Sequence, residues 1–206
     1  MDVTGAVINY LKADPRLYAA LVSGLTAVTD FGTTAPSTTT ITMVTDQTML
    51  YPVGSVIGVT VAGVLKFGTV KTITSSLLTL TEAILTTGAG AITTLGYARV
   101  YRADFPSFQQ LPAVMVTKVD DLRGNHSSTT KYSAARVQVT SYAKTDSAAD
   151  EVSELVADAL DTLVNTNIAG LRIISCFDAG TVPDSSPKTP LYIYHRDFRI
   201  TYSVRL

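Results

Sequence analysis

The chain has 206 residues, a formal net charge of −1 and only 16% charged residues, well below the roughly 25% of an average soluble domain. That balance gives no electrostatic drive for avid nucleic-acid or anionic-membrane binding, and the mean hydropathy of +0.26 arises without an apolar run long enough to cross a bilayer. A single cysteine, Cys176, excludes an intrachain disulfide and a cysteine-based zinc site within one chain.

A surface so poor in charge is expected to be partly covered by other subunits. Met1-Asp2-Val3 lacks the basic segment and apolar stretch of a secretory signal, so synthesis in the cytosol is expected. Val3, Ala6, Val7, Tyr10 and Leu11 recur at helical spacing and predict a short amphipathic helix that stops at Asp14-Pro15. Asp14 as N-cap and Pro15 at the first helical position predict a second helix, with Leu17, Tyr18, Leu21 and Val22 as its apolar stripe and Gly24 as its end.

From about Thr26 to Thr94 threonine, glycine, valine and leucine dominate and charge nearly vanishes. Thr39–Val44, Val56–Val61, Val64–Thr74 and Leu77–Thr81 read as short strands, with Ala62-Gly63 and Ser75-Ser76 as tight connections. Residues 26–94 are therefore expected to form an inserted small all-β barrel or sandwich. Their Val, Ile and Leu content is too high for a solvated linker, although Thr33–Thr40 alone has a linker's composition.

Ala98–Arg102 and Leu111–Val119 read as strands, and a polar stretch from Asp120 to Lys131 separates them from a strand over Ser133–Ala143. The polar stretch is expected to form an extended hairpin arm. Asp146 or Ser147 is expected to cap a helix with Val152, Leu155, Val156, Ala159, Leu160 and Leu163 on one stripe and Asp150, Glu151, Glu154, Asp158 and Asp161 facing away. Leu171–Phe177 predicts a strand, Pro183–Pro190 a loop, and Tyr192–Leu206 a long terminal strand whose alternation gives one apolar and one polar face.

Joined across the insertion, residues 1–25 and 95–206 predict one discontinuous domain of the α+β class: an antiparallel β-sheet with helices packed on one face. Insertion at a loop is tolerated where the ends of that loop already lie close together.

Catalytic chemistry finds no support in the motifs. There is no phosphate-cradling glycine loop, no Gly-x-Ser-x-Gly elbow, and the two histidines, His126 and His195, stand far apart without a second ligand at helical spacing. His195, Asp197 and Arg199 share a strand face, an arrangement expected of a hydrogen-bonded polar row more than of a hydrolase site. Asp120-Asp121 lacks calcium-loop spacing, and Cys176 alternates within an apolar strand as a small hydrophobe. No catalytic, metal or cofactor-binding residue is expected.

The segment ARVQVTSYAKTDSAADEVSELVADALDTL, Ala135 to Leu163, resembles the core signature of phage tail completion proteins: a strand ending in tyrosine and a small residue, a polar turn, and an alanine-rich helix closing on Ala-Leu. INYLKADPRLYAALVSG, Ile8 to Gly24, is similar to the family's first helices, and YIYHRDFRITYSVRL to its final aromatic, arginine-bearing strand. The resemblance implies a tail terminator, a minor tail protein without enzymatic activity, forming a ring, usually hexameric, at the head-proximal end of the tail tube. Its implied partners are further copies of itself, the tail tube protein and a neck protein, with DNA passing through the ring without sequence-specific contact and no membrane involved; its place is the virion, after assembly in the host cytoplasm. A neck or head-completion adaptor is the nearest alternative, and a surface- or carbohydrate-binding β module a more distant one, disfavoured because Phe31, Tyr51 and Phe67 are the only aromatics from Thr26 to Thr94. The residues expected at subunit contacts are Arg123, Asn125, His126 and Lys131 on the arm, and Arg196, Arg199 and Arg205 on the terminal strand.

Overall fold

A computed structural model describes residues 2–27, 34–35, 37–42, 51–75, 77–85, 88–89, 92–103, 110–123, 132–168, 170–184 and 191–204. In chain order the elements are α1 (Val3–Lys12), α2 (Pro15–Leu21), β1 (Val22–Ala27), β2 (Thr34–Ala35), β3 (Thr40–Thr42), β4 (Val56–Val61) and β5 (Val64–Ile73). They continue as β6 (Leu77–Leu80), β7 (Gly88–Ala89), β8 (Ile92–Ala98), β9 (Val100–Arg102), β10 (Ala113–Arg123) and β11 (Tyr132–Ala143). The last are α3 (Asp146–Asp161), β12 (Thr166–Ile168), β13 (Leu171–Asp184) and β14 (Tyr192–Val204). The chain is mixed α+β and divides into two compact units, Met1–Leu21 with Arg99–Leu206, and Val22–Ala98.

The first unit is built on a six-stranded sheet in the order β12-β13-β14-β11-β10-β9. Five of its strands are antiparallel, but β9 runs parallel to β10, so the wholly antiparallel sheet expected from sequence is corrected at that edge. A three-residue strand carries no signal of its direction, which is set by the path of the chain before it. Helix α3 packs on β11, β13 and β14, α1 packs on β9 and β10, and the helices touch one another, so all three lie on one face.

Alternation explains that face. Val137, Val139, Phe198, Ile200 and Ile173 point toward the helices and are buried, as are Val152, Val156, Ala159 and Leu160 from α3 and Leu163 just beyond its end. Each large aliphatic or aromatic side chain so buried contributes about 1.5–3 kcal/mol. Asp2 caps α1 by accepting from Gly5 N–H at 2.9 Å. Burial raises its carboxyl, but the Gly5 bond and the Arg102 guanidinium outweigh this and hold it below the usual carboxylate value. Thr145, rather than Asp146 or Ser147, caps α3, its hydroxyl accepting from Ala148 N–H at 3.3 Å.

Helix α2 ends at Leu21, and Gly24 lies within β1 rather than closing the helix. Strand β13 extends past Phe177 to Asp184 and takes Pro183 into the strand. It does so through a bulge between Asp178 and Thr181, where Gly180 adopts φ +109° and its N–H bonds the Asp178 carboxylate at 2.8 Å. The extra residues between Asp178 and Thr181 are taken up as a bulge that lets the ladder resume. Of the expected arm from Asp120 to Lys131, Asp120–Arg123 continue strand β10, and residues 124–131 lie outside the described residues.

The second unit is a curled six-stranded half-barrel, order β1-β8-β4-β5-β6-β3, with β2 and β7 paired separately. The β4–β5 hairpin turns through Ala62 (φ 48°) and Gly63 (φ 79°), the two positive values a type I′ turn requires. Its core holds Ile41, Tyr51, Ile57, Val59, Leu80 and Leu95 among others. Tyr51 is fully buried, donates its hydroxyl to the Leu95 carbonyl at 3.4 Å, and meets the Tyr97 ring edge-on at 6.1 Å.

The excursion into this unit leaves and returns side by side. Arg99 N–H donates to Leu21 C=O at 3.0 Å, and Val22 pairs with Ala98 in the next position. Arg99 is buried and tied to the Pro112 carbonyl at 2.8 Å and to Gln110 at 3.3 Å.

Candidate subunit interface

The face of the first unit's sheet away from the helices carries the polar row expected from the terminal strand, and the strand register fixes its members. Thr140 stands opposite His195, Gln138 opposite Asp197, and Arg136 opposite Arg199. Thr140 Oγ1 and His195 Nδ1 lie 3.0 Å apart, and Asp197 accepts from Arg136 at 2.5 Å and from Gln138 at 3.5 Å. His195 and Asp197 thus bond to separate partners across the strand pair, as a polar row does.

Arg136 and Arg199 are like charges placed directly opposite each other, an arrangement that destabilises a strand pair unless it is compensated. The Asp197 bond raises the Arg136 guanidinium pKa, with Asp120 adding to the field. The same row extends onto β13, where Phe177 stands opposite Arg199 and is 71% exposed. One row across four strands is therefore Phe177, Arg199, Arg136 and Asp120. Two rows further along, Arg172 stands opposite Ser203, which faces the exposed Tyr132.

Arg196 belongs to the opposite face. Its even-numbered position puts it with Phe198 and Ile200 beneath α3, where its side chain is 13% exposed. The guanidinium donates to Asp178 at 2.8 Å, to Glu154 at 3.0 Å and to the Ser153 carbonyl at 3.1 Å, joining α3 to both β13 and β14. Alternation alone reveals this placement, since a lone arginine in an apolar series must find carboxylates nearby. The strand's apolar series also opens less buried than expected: Tyr192 is 47% exposed, while Tyr194 donates to Asp146 at 3.0 Å.

Of the remaining expected contact residues, Arg199 is exposed on the polar face and Arg123 ends β10. Asn125, His126, Lys131 and Arg205 lie outside the described residues. Arg136, Arg172 and Phe177 were not singled out from sequence. Alternation puts each on a face, but only the register brings them together.

A shallow cleft of about 210 Å³ lies between α3 and the β13–β14 pair, bordered by Glu154, Asp158, Asp161, Asp178 and Arg196, with Cys176 on its wall. Burial, with the neighbouring Asp178 and Asp161 charges adding to it, pushes the Cys176 thiol up to about 12. At pH 8 the thiolate fraction is then about 10⁻⁴, far below that of a free thiol. Iodoacetamide is expected to leave Cys176 unlabelled for hours in the native protein and to label it within minutes in urea, as mass spectrometry would show. Among the described residues no cluster of His, Cys, Asp or Glu is arranged to hold a metal ion, and no helix is long and apolar enough to cross a membrane.

No protein-family model matches the chain, and no curated protein matches it in sequence. Among solved structures, a chain from the virion of a native gene transfer agent (GTA) particle is similar over 51% of this chain and 78% of that one, at 15% identity and a TM-score of 0.45.

Proposed function

We propose that the protein is a structural subunit of a ring that ends the tail tube of a long-tailed bacteriophage or prophage and presents a docking surface to the neck. The observation that carries this reading is the union of the two sequence flanks in one compact unit. The stretch that resembles tail completion proteins is the contiguous β11–α3 element at the centre of that unit, and the stretches resembling the family's first helices and last strand contribute α1, α2 and β14 to it. One face of the sheet is sealed by helices, and the other presents exposed arginines and an exposed phenylalanine.

A ring built from such subunits works by geometry. One annular face matches the last layer of the tube and the other does not, so closure of the ring stops tube growth without a chemical step. The tube protein, a neck protein and further copies of this chain are its partners, DNA passes through the lumen without base-specific contact, and the Val22–Ala98 unit is an inserted domain of the subunit. Negative-stain images of the concentrated protein are expected to show rings with a central hole, hexamers by the family's habit. Compact particles without a hole at concentrations of hundreds of micromolar, confirmed as monomers by sedimentation, would overturn the reading.

A further inference from the structure

The sheet face opposite the helices combines features that the described residues leave unpaired. Arg136 and Arg199 oppose each other, and only Arg136 has a carboxylate partner among the described residues. Arg199 and Arg172 are exposed with no ion pair among those residues, and Phe177 holds an aromatic ring in solvent beside Arg199. With Asp197 and Asp120 set against Arg136, the cationic excess of the described face lies at Arg172 and Arg199, beside the apolar ring of Phe177.

Its complement lies on the other side of the same layer. Helix α3 carries Asp146, Asp150, Glu151, Glu154, Asp158 and Asp161 and no basic residue. Glu154 is engaged by Arg196, and Asp158 by Arg16 at 3.0 Å, while Asp150, Glu151 and Asp161 are exposed without an ion pair among the described residues. Asp158 and Asp161 also sit at the negative end of the helix dipole, where a cation stabilises and an anion does not.

The spacings agree. Arg172 stands opposite Ser203, four residues along β14 from Arg199, which sets the two residues' backbone positions about 13 Å apart along the strands. Glu151 and Asp161 are ten residues apart on α3, about 15 Å along the helix axis. Past the three residues paired with β12, β13 is the outer strand, and it is a poorer meeting place because it carries two register shifts and a proline, devices that blunt strand-to-strand addition.

We propose that the open sheet face centred on Arg172, Phe177 and Arg199 is the seat for the acidic α3 stripe of a second copy of this chain. The two surfaces lie on opposite faces of one layer, so a chain cannot satisfy itself, and each copy offers a helix to one neighbour and a sheet to the other. Such a contact is heterologous and closes a ring by rotation. The inference rests on the ring reading and specifies the interface within it.

The test reverses the two surfaces separately. A sheet variant, Arg172→Glu with Arg199→Glu, and a helix variant, Glu151→Lys with Asp161→Lys, each place like charge against like charge in every contact. Each alone is expected to self-associate at least about 100-fold more weakly than wild type by sedimentation velocity. A 1:1 mixture is expected to reassemble, because in an alternating array every contact again joins opposite charges. Phe177→Ser, at a position 71% exposed, provides a second route to the same loss without a charge change. Circular dichroism identifies any variant that has lost its fold, and the remaining variants carry the decision. Folded variants that assemble like wild type, or a mixture that stays dissociated, overturn this interface and leave the ring standing. A wild-type protein that remains monomeric at hundreds of micromolar overturns both.

Discussion

Replacing Phe198 by alanine is expected to destabilise the first unit by about 3–5 kcal/mol, the range for removing a large aromatic from a packed interior. Phe198 is 1% exposed and stands on β14 opposite Val137, itself buried, with the packed side of the sheet under α3. The lost transfer energy is compounded by a cavity, because the rigid strand pairs on either side cannot close over it. Against a typical total of about 5–15 kcal/mol, this is a large share. Urea denaturation should show the midpoint fall with the slope nearly unchanged. A shift equivalent to less than about 1 kcal/mol would mean that the helix layer does not bear on β14 as described.

The second large expected effect is a survival. Removing Val22–Ala98 and linking Leu21 to Arg99 through two or three glycines is expected to leave a protein with intact near-ultraviolet dichroism and cooperative unfolding. Leu21 C=O already accepts from Arg99 N–H at 3.0 Å, so the new link spans almost no distance. The apolar side chains from Val3 to Leu21 pack within their own compact unit, and the excised segment takes with it a core made of its own residues. Arg99 keeps its bonds to Pro112 and Gln110, both outside the excision. A product that keeps helical far-ultraviolet signal but loses the near-ultraviolet bands would show that the two units share one core.

What could be read from sequence followed from how many residues repeat a pattern. The stripe from Val152 to Leu163 recurs over about three turns, and Ala135 to Thr140 alternates without a break, so both stand out from their surroundings. Ala62-Gly63 was legible because a two-residue turn between alternating runs admits few residue types. Strands β9 and β12, at three residues each, are too short for alternation to register, and the parallel course of β9 depends on contacts distant in sequence.

The interface candidates divide the same way. Arg199 was singled out because its strand is long and regular. Arg136 and Phe177 lie on strands that were anticipated, but their meeting with Arg199 depends on register, and on β13 the register shifts between Ile173 and Ser175 just before Phe177. Arg196 was singled out as well, and the structure gives it three anchors within its own unit, two of them carboxylates that the strand's own sequence does not contain.

The paired backbone at Leu21–Val22 and Ala98–Arg99 also acts as a socket. Because the host crosses it at one hydrogen-bonded step, whatever is mounted there needs only two termini a strand's width apart, about 5 Å. A fluorescent protein or an epitope-bearing hairpin grafted at this point would ride on the host without reaching into its core.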